Sequence, residues 1–292
     1  MFKGAITAII TPFKENEEID FDSLKKLVEF QTTNKIDGIV PCGTTGESPT
    51  LSHNEQLSVI KSVIEFSNGK VPVIAGTGSN STRQAIELTK EASDLGADGS
   101  LLVCPYYNKP TQEGLYRHFS AVANAVDIPL IIYNIQGRTG INLETSTLKR
   151  IAEEHSNIVG VKEASGNISQ MMDVISELPK EFSVLSGDDN LTLPLMSLGG
   201  EGVISVASNI IPKEMHDMVE FSLNGKFDKA MHLHYRLLPL FKGIFIETNP
   251  IPIKAALAMK GLCKEIYRLP MCGMKKENKE KLKKILEELN II

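Results

Sequence analysis

One lysine ends an otherwise apolar, β-branched stretch and is a candidate for covalent chemistry. Residues 158–161, Ile-Val-Gly-Val, predict a short strand buried on both faces, and Lys162 follows them directly. Burial favours the uncharged amine, which is the nucleophile that attacks carbonyl compounds to form a Schiff base. If side chains alternate along the strand, Gly160 shares a face with Lys162 and leaves room for a long side chain or ligand. The alternative is a strand-end lysine whose ammonium reaches into water.

Other polar groups fall at the ends of predicted strands, where an α/β barrel gathers its active-site residues. The turn at 43–46, Gly-Thr-Thr-Gly, can point successive backbone N–H groups at a carboxylate, or it is a plain tight turn. Tyr133 ends an apolar strand, and Arg138 beside glycines can bind a second carboxylate. The alternatives are a half-buried aromatic and a solvated arginine. With Lys162, these groups indicate a lysine-imine enzyme acting on small carboxylates and oxo acids.

The elements that must position these residues alternate along the chain as far as about residue 225. The predicted strands are 4–11, 38–43, 71–78, 99–105, 129–134, 158–163, 182–187 and 202–206. The predicted helices are 21–33, 53–66, 81–95, 111–125, 144–155, 168–178, 191–198 and 212–223. Eight such units are typical of an α/β fold of the (β/α)8 TIM-barrel type. An open doubly wound sheet is the alternative, but it normally has a glycine-rich turn after the first strand, where this chain has Thr-Pro-Phe-Lys.

After residue 225 the pattern predicts helices alone, at 227–246, 252–262 and 278–289. We therefore expect a catalytic barrel at 1–225 and a C-terminal, all-helical appendage of three helices at 226–292, packed on the barrel. Lysines and glutamates interleave along the last helix, which predicts a solvated face and not a nucleic-acid surface.

Composition narrows the class of protein. The 292 residues are 42% hydrophobic and 23% charged, as in ordinary globular proteins, and a net charge of −5 gives no argument for nucleic acid or anionic membrane. No apolar run has transmembrane length, and the short apolar start has no cleavage-like end, so we expect no signal peptide. Cys42 and Cys104 lie within apolar runs and no Cys-x-x-Cys pair occurs. We expect a reduced, cytoplasmic protein.

Metal and cofactor chemistry has little support in the sequence. The 6 histidines all fall in or at the ends of predicted helices, so a zinc aldolase or metal hydrolase lacks imidazole ligands at the strand ends. Asp188 and Asp189 could hold a divalent ion, although turn formation and helix capping are the alternative. The last two βα turns lack a glycine-rich phosphate grip. We expect no metal, no cofactor and no phosphorylated substrate.

Several motifs occur in an order that is specific when they are taken together. They are 38–47 (Gly-Ile-Val-Pro-Cys-Gly-Thr-Thr-Gly-Glu), 106–108 (Tyr-Tyr-Asn), 133–134 (Tyr-Asn), 138–140 (Arg-Thr-Gly), 161–164 (Val-Lys-Glu-Ala) and 247–254 (Glu-Thr-Asn-Pro-Ile-Pro-Ile-Lys). In this combination the chain resembles the dihydrodipicolinate synthase / N-acetylneuraminate lyase superfamily, most closely its synthase branch, over its whole length.

The resemblance implies that Lys162 forms an imine with pyruvate, whose enamine attacks L-aspartate 4-semialdehyde in lysine and diaminopimelate biosynthesis. It implies that Tyr133 is the proton shuttle, linked through Thr44 to Tyr107 of a neighbouring subunit. Such a role requires an oligomer, and members of the superfamily are commonly homotetramers built from tight dimers.

The resemblance also implies where the substrates bind. Thr45 would hold the pyruvate carboxylate, and main-chain groups of Gly187 and Ile204 would line the pocket. Arg138 would bind the carboxylate of the semialdehyde. One departure is Gln136, which stands where relatives usually have proline, so we expect a looser loop around Arg138.

Some relatives bind lysine as an inhibitor at the dimer interface. The residues that fit such a pocket are Ser48, His53, Asn80 and Tyr106. Gln56 and Gln84 stand where sensitive members often have His and Glu. Because a lysine ammonium then lacks a charge partner, we expect weak or absent inhibition by lysine.

Two other functions compete with the synthase. One is another class I pyruvate aldolase such as N-acetylneuraminate lyase, against which Arg138 argues. The other is a non-catalytic barrel that binds a keto acid. The presence together of Lys162, Tyr133, Thr44 and Tyr107 argues against it, because a sensor needs no proton relay.

Overall fold

Eight strands follow one another along the chain in the computed structural model, which describes residues 2–292. They are β1 (Gly4–Ala8), β2 (Gly38–Val40), β3 (Ile74–Gly76), β4 (Gly99–Val103), β5 (Leu130–Asn134), β6 (Ile158–Glu163), β7 (Ser183–Ser186) and β8 (Gly202–Ser205). Met1, the first residue of the predicted catalytic barrel, lies outside the described residues.

The strands form one parallel sheet that curls into a nearly closed barrel. The order of hydrogen-bonded neighbours is β2-β1-β8-β7-β6-β5-β4-β3. An isolated parallel bridge between Ile39 and Val73 links the two ends of this series. Helical regions follow the strands and cover the outside. The predicted (β/α)8 TIM barrel is therefore confirmed.

The helices lie close to their predicted positions. They are α1 (Phe21–Thr33), α2 (His53–Ser67), α3 (Thr82–Asp94), α4 (Gln112–Ala123), α5 (Gln136–Thr139), α6 (Thr145–Glu154), α7 (Ile168–Glu177), α8 (Thr192–Ser197), α9 (Pro212–Leu223), α10 (Phe227–Gly243), α11 (Ile251–Met259) and α12 (Lys276–Glu288). Ser52 begins α2 by exchanging hydrogen bonds with Glu55 in a capping box, which satisfies two free donors of the first turn. The short helix α5 was not predicted.

Several strands end before their predicted limits. β2 was predicted to reach Gly43 but ends at Val40, because Cys42 adopts a left-handed backbone with φ of 56° that no strand contains. β3 was likewise predicted over 71–78 and covers Ile74–Gly76. The residues beyond the strand ends form the turns at the C-terminal rim of the barrel.

Apolar side chains pack on both faces of the strands. The barrel interior is filled by Ile6, Ala8, Val40, Ile74, Leu101, Ile131, Tyr133, Ala164, Leu185 and Ile204. Two larger clusters lie between the strands and the helices. This burial on both faces explains why the strands read as continuous apolar runs and not as alternating ones.

The C-terminal helices share a hydrophobic cluster with the barrel. Phe241 of α10, Ile253 of α11 and Leu282 of α12 are buried in the same cluster as barrel-helix residues such as Val59 and Met215. The helical region after residue 225 is therefore packed on the barrel. Across residues 2–292, no helix combines the length and the apolarity needed to cross a membrane.

Candidate active site

Lys162 lies at the C-terminal end of β6 and is only 5% exposed. Its side chain passes Gly187, where an added Cβ would lie 3.1 Å from Lys162 Cε and 2.4 Å from the Cβ of Ala164. Room beside the lysine therefore depends on the glycine after β7. From the sequence, Gly160 was expected to provide this room. A Cβ at Gly160 would lie 2.7 Å from the carbonyl oxygen of Ser183, so that glycine allows the neighbouring strand to approach.

The charge state of Lys162 is shifted towards the neutral amine. Burial lowers the pKa of Lys162 to about 8, although the carboxylates of Asp188 and Asp189 act in the opposite direction. Burial also raises the pKa of Asp188 to about 6. Among the described residues, Lys162 forms no salt bridge that would hold its proton. A lysine with these properties is suited to nucleophilic attack on a carbonyl group.

The two aspartates after β7 have different surroundings. Asp189 is buried and accepts hydrogen bonds from the Ser205 hydroxyl at 2.5 Å and from the backbone N–H of Ala207 at 2.9 Å. It therefore braces the turn after β8. Asp188 borders the same cavity as Lys162. From the sequence, the two aspartates were interpreted only as possible metal ligands or as turn and cap residues.

Tyr133 faces Lys162 from the adjacent strand. The two residues are paired in the register of β5 and β6, and Lys162 Nζ lies 4.1 Å from the centroid of the Tyr133 ring. Burial raises the pKa of the Tyr133 phenol, while the charge of Arg138 and, to a smaller extent, a hydrogen bond with the Thr44 side chain lower it in part. The phenol therefore stays protonated at neutral pH and can donate a proton beside the lysine.

The turn after β2 presents two free backbone donors. Hydrogen bonds inside the turn join Gly46 N–H to the Gly43 carbonyl at 3.0 Å and Glu47 N–H to the Thr44 carbonyl at 3.1 Å. In the described part of the chain, the N–H groups of Thr44 and Thr45 have no backbone acceptor. This arrangement fits the predicted carboxylate site, because free successive N–H groups attract an anion.

Arg138 lies in α5, a single helical turn that the sequence analysis treated as a loop. The turn is closed by hydrogen bonds from Gly140 N–H to the Gln136 carbonyl at 2.9 Å and from the Thr139 hydroxyl to the Ile135 carbonyl at 2.9 Å. The segment that was expected to be a looser loop thus includes a hydrogen-bonded helical turn, which begins at Gln136. Arg138 Nη2 donates to the backbone carbonyl of Asn249 at 3.2 Å.

These side chains meet in one cavity at the C-terminal rim of the barrel. Its lining includes Thr44, Thr45, Tyr133, Arg138, Lys162 and Gly187. Sequence reasoning missed Phe245 and Asn249, which come from the segment between α10 and α11 and also line it. The only available signal for Asn249 was the 247–254 motif, which gave no indication of where it would lie, and Phe245 lies outside that motif.

Comparison with known proteins identifies the family. A model described as the dihydrodipicolinate synthetase family matches residues 1–289. The 4-hydroxy-tetrahydrodipicolinate synthase of Syntrophus aciditrophicus is 56% identical over 292 residues, covering 100% of both chains, and that of Methanocaldococcus jannaschii is 53% identical over the same length, with 100% of both chains covered. The crystal structure of dihydrodipicolinate synthase from Aquifex aeolicus superposes with a TM-score of 0.98, at 50% identity and 99% coverage of both chains. The chain belongs to the dihydrodipicolinate synthetase family.

Two residues expected in the site of this dihydrodipicolinate synthetase family member lie outside the cavity lining. Ile204 is buried in the barrel interior, and Val206, two residues later, borders the cavity instead. Tyr107 lies in the loop after β4, 89% exposed and with a left-handed φ of 74°. Its ring extends from the surface, so within one chain it does not complete the predicted relay.

A second cavity of about 340 Å³ lies behind the turn after β2 in this family member. Three of the four residues predicted for a lysine effector border it: Ser48, His53 and Tyr106. Asn80 does not, and its backbone carbonyl accepts a hydrogen bond from the Asn108 side chain at 2.8 Å. Gln56 and Gln84 also line this cavity.

The histidines are placed as the sequence predicted. Each lies within a helix or directly at a helix end, as His118 does in α4 and His155 at the end of α6. Over residues 2–292, no group of three or more His, Cys, Asp or Glu side chains is arranged to hold a metal ion.

Proposed function

We propose that this chain is a 4-hydroxy-tetrahydrodipicolinate synthase, which joins pyruvate, bound as an imine of Lys162, to L-aspartate 4-semialdehyde. The observation that carries the proposal is the buried Lys162, with its pKa lowered to about 8, beside a protonated Tyr133 in the cavity of a barrel of this family. The relatives that carry this name match the chain from end to end.

The first half of the reaction forms the nucleophile. The neutral amine of Lys162 attacks the keto carbon of pyruvate, and the resulting carbinolamine loses water to give the imine. Tyr133 supplies a proton to the departing hydroxyl from its position over the lysine. The Tyr133 phenolate left by that step takes a proton from the methyl carbon, which converts the protonated imine to an enamine. That carbon then attacks the aldehyde of the second substrate, and the aldehyde oxygen takes the proton back from Tyr133. The amine of the second substrate adds to the imine carbon, which closes the ring and releases the amine of Lys162.

The carboxylates of the two substrates bind to different hydrogen-bond donors. The free N–H groups of Thr44 and Thr45 and the Thr45 hydroxyl hold the carboxylate of pyruvate. Arg138 borders the same cavity and binds the carboxylate of L-aspartate 4-semialdehyde. We assign Gly187 to the space that the lysine and its imine need, and the backbone near Ile204 to the floor of the pocket.

Borohydride trapping tests the proposal. Pyruvate with borohydride should give one reduced pyruvyl adduct per chain, mapped by peptide mass to Lys162, and Lys162→Arg should give none. Lys254 is the matched comparison, because it is equally buried but paired with Glu47, and it should stay unmodified. An adduct spread over surface lysines would refute the imine. The proposed synthase is itself a lyase by class, and cleavage of N-acetylneuraminate without condensation of L-aspartate 4-semialdehyde would make the chain an N-acetylneuraminate lyase instead.

We also propose that the active form is an oligomer in which Tyr107 of one chain completes the relay of another. An aromatic side chain that is 89% exposed and strained at a φ of 74° fits a role outside its own chain. A second apolar group on α10, formed by Phe227, Met231 and Tyr235, fits a further contact that would make the dimer a homotetramer.

Subunit mixing tests the relay. Lys162→Ala chains and Tyr107→Phe chains are each expected to have little activity. Mixed after dissociation, they should regain roughly a quarter of the wild-type sites, because each mixed dimer has one intact site of two. If Tyr107 acts within its own chain, mixing restores nothing. Sedimentation at the same concentrations gives the oligomeric state.

We place the enzyme in the cytoplasm, in keeping with four free cysteines of which Cys42 and Cys104 are buried.

A further inference from the structure

Asn249 connects the C-terminal helices to both predicted carboxylate subsites. It lies between α10 and α11 and is only 4% exposed. Its side-chain Nδ2 donates to Thr45 Oγ1 at 3.0 Å, and its backbone carbonyl accepts from Arg138 Nη2 at 3.2 Å. Asn249 thus touches the group assigned to each substrate carboxylate.

The hydrogen bond to Thr45 determines where the threonine proton points. The hydroxyl, on a residue that is 2% exposed, accepts from Asn249 and donates to no acceptor within residues 2–292. Its proton is therefore available to a ligand in the cavity that Thr45 lines. A hydroxyl that already accepts one hydrogen bond is a better donor in a second one.

A buried ion pair holds this arrangement from behind. Lys254, on α11, binds the carboxylate of Glu47, two residues after Thr45, and neither side chain is more than 1% exposed. Lys254 also donates to the carbonyl of Ile266 at 3.0 Å. The segment 249–254 and the turn after β2 are therefore joined at two points, by Asn249 and by Lys254.

We propose that Asn249 is a positioning residue for pyruvate: it directs the Thr45 proton at the pyruvate carboxylate and holds Arg138 in place through its carbonyl. The helical region after residue 225 is then part of the substrate site. This inference depends on the proposed function, because it assigns Thr45 to the carboxylate of pyruvate.

Two substitutions separate this role from a structural one. Asn249→Asp has no donor, so the Thr45 hydroxyl must turn its proton to the new carboxylate. The KM for pyruvate should then rise at least about tenfold, the effect of one lost hydrogen bond to a charged group, with a smaller change in kcat. Asn249→Ala should raise the KM less, because the hydroxyl becomes free to turn either way.

A double-mutant cycle with Thr45→Val gives the decisive result. If Asn249 acts through Thr45, Asn249→Ala raises the pyruvate KM in the wild-type background and not in Thr45→Val. An equal rise in both backgrounds would refute the proposal, even if Asn249→Asp fails to fold. The melting temperature of each variant shows whether it is folded.

Trapping distinguishes a failure of this inference from a failure of the proposed function. Borohydride trapping with propanal, which has no carboxylate, should proceed equally in the wild type and in Asn249→Ala, which adds no charge to the cavity of Lys162, while trapping with subsaturating pyruvate should slow in the variant alone. Equal trapping of pyruvate in both proteins overturns the role of Asn249 and leaves the imine intact. No pyruvate adduct in the wild type overturns the proposed function itself.

Discussion

The nitrogen of Lys162 lies 4.1 Å from the centroid of the Tyr133 ring, and the two residues are directly paired on β6 and β5. Two effects oppose each other in this pair. The face of an aromatic ring stabilises a cation, whereas removal from water destabilises it. Burial dominates, because the pKa of Lys162 falls to about 8. About a tenth of the lysine is then a neutral nucleophile at pH 7.

Imine formation should therefore depend on pH through Lys162. The reactive form is the deprotonated amine, so trapping with pyruvate should speed up as the pH rises and should reach half its limit near pH 8. Asp188 raises the pKa of Lys162, so Asp188→Asn should move this midpoint to lower pH and speed trapping severalfold at pH 7. The measurement is the rate of borohydride trapping between pH 6 and 10.

The control for this prediction is Asp173→Asn on the exposed face of α7, which should leave the midpoint unchanged. A midpoint that stays in place or rises in Asp188→Asn would show that the Asp188 carboxylate does not act on the lysine.

The sequence was sufficient to place the groups that end strands. Lys162 and Tyr133 were identified because each follows an apolar run, and parallel strands bring their C-terminal ends to one rim. Strand pairing then set their relative height, so no long-range packing had to be known.

Residues placed by long-range packing were not predictable in this way. Asn249 reaches the cavity only because α11 packs on the turn after β2, through Lys254 and Glu47. No periodicity in the sequence encodes that contact. The helical turn that carries Arg138 was missed because it has four residues, too few for a helical repeat, and includes a glycine.

Gly187→Ala should disable the site by crowding the lysine. The new Cβ would lie 2.4 Å from the Cβ of Ala164, which cannot rotate away, and 3.1 Å from Lys162 Cε. We expect a lower melting temperature and a loss of pyruvate trapping of at least about tenfold, since a displacement of 1 Å in a catalytic group costs that much or more. Gly137→Ala, whose Cβ meets nothing within 4 Å, is the control and should keep both properties. Normal trapping by Gly187→Ala would mean that the lysine has another path.

Breaking the buried Lys254–Glu47 pair should destabilise the fold. Lys254→Met leaves the Glu47 carboxylate buried without its partner, and we expect a loss of about 3–5 kcal/mol in the free energy of unfolding. Lys254→Met with Glu47→Gln should recover much of that loss, because the uncompensated charge is gone. Denaturant unfolding at pH 7 gives the free energies.

The comparison for that pair is Lys284→Met, which breaks the exposed pair Lys284–Glu288 on α12 and should change stability little. If both lysine variants lose the same stability, burial of the Lys254–Glu47 pair has no special effect. Lys254 Nζ also lies 4.3 Å from the centroid of the Phe13 ring, so Lys254→Met changes packing as well as charge. The stability that the double variant recovers reports the charge, and the loss that remains reports the packing.

Lysine should inhibit this enzyme weakly or not at all. The second cavity is large enough for an amino acid, but none of its described lining residues is acidic. The nearby carboxylate of Glu91 is already hydrogen-bonded to His53, with 2.5 Å between Glu91 Oε2 and His53 Nε2. Gln84 accepts a hydrogen bond from the Ser79 hydroxyl at 3.0 Å and carries no charge for a ligand ammonium.

Gln84→Glu should introduce that charge. An opposite charge within about 4 Å contributes roughly 1 kcal/mol or more, so the variant should bind lysine at least about fivefold more tightly than the wild type. The measurement is the rate of condensation against the concentration of L-lysine, with Gln56→Glu as a second position in the lining of the same cavity. Inhibition of the wild type at micromolar lysine would contradict the prediction, because neutral amides would then be sufficient to hold the ammonium.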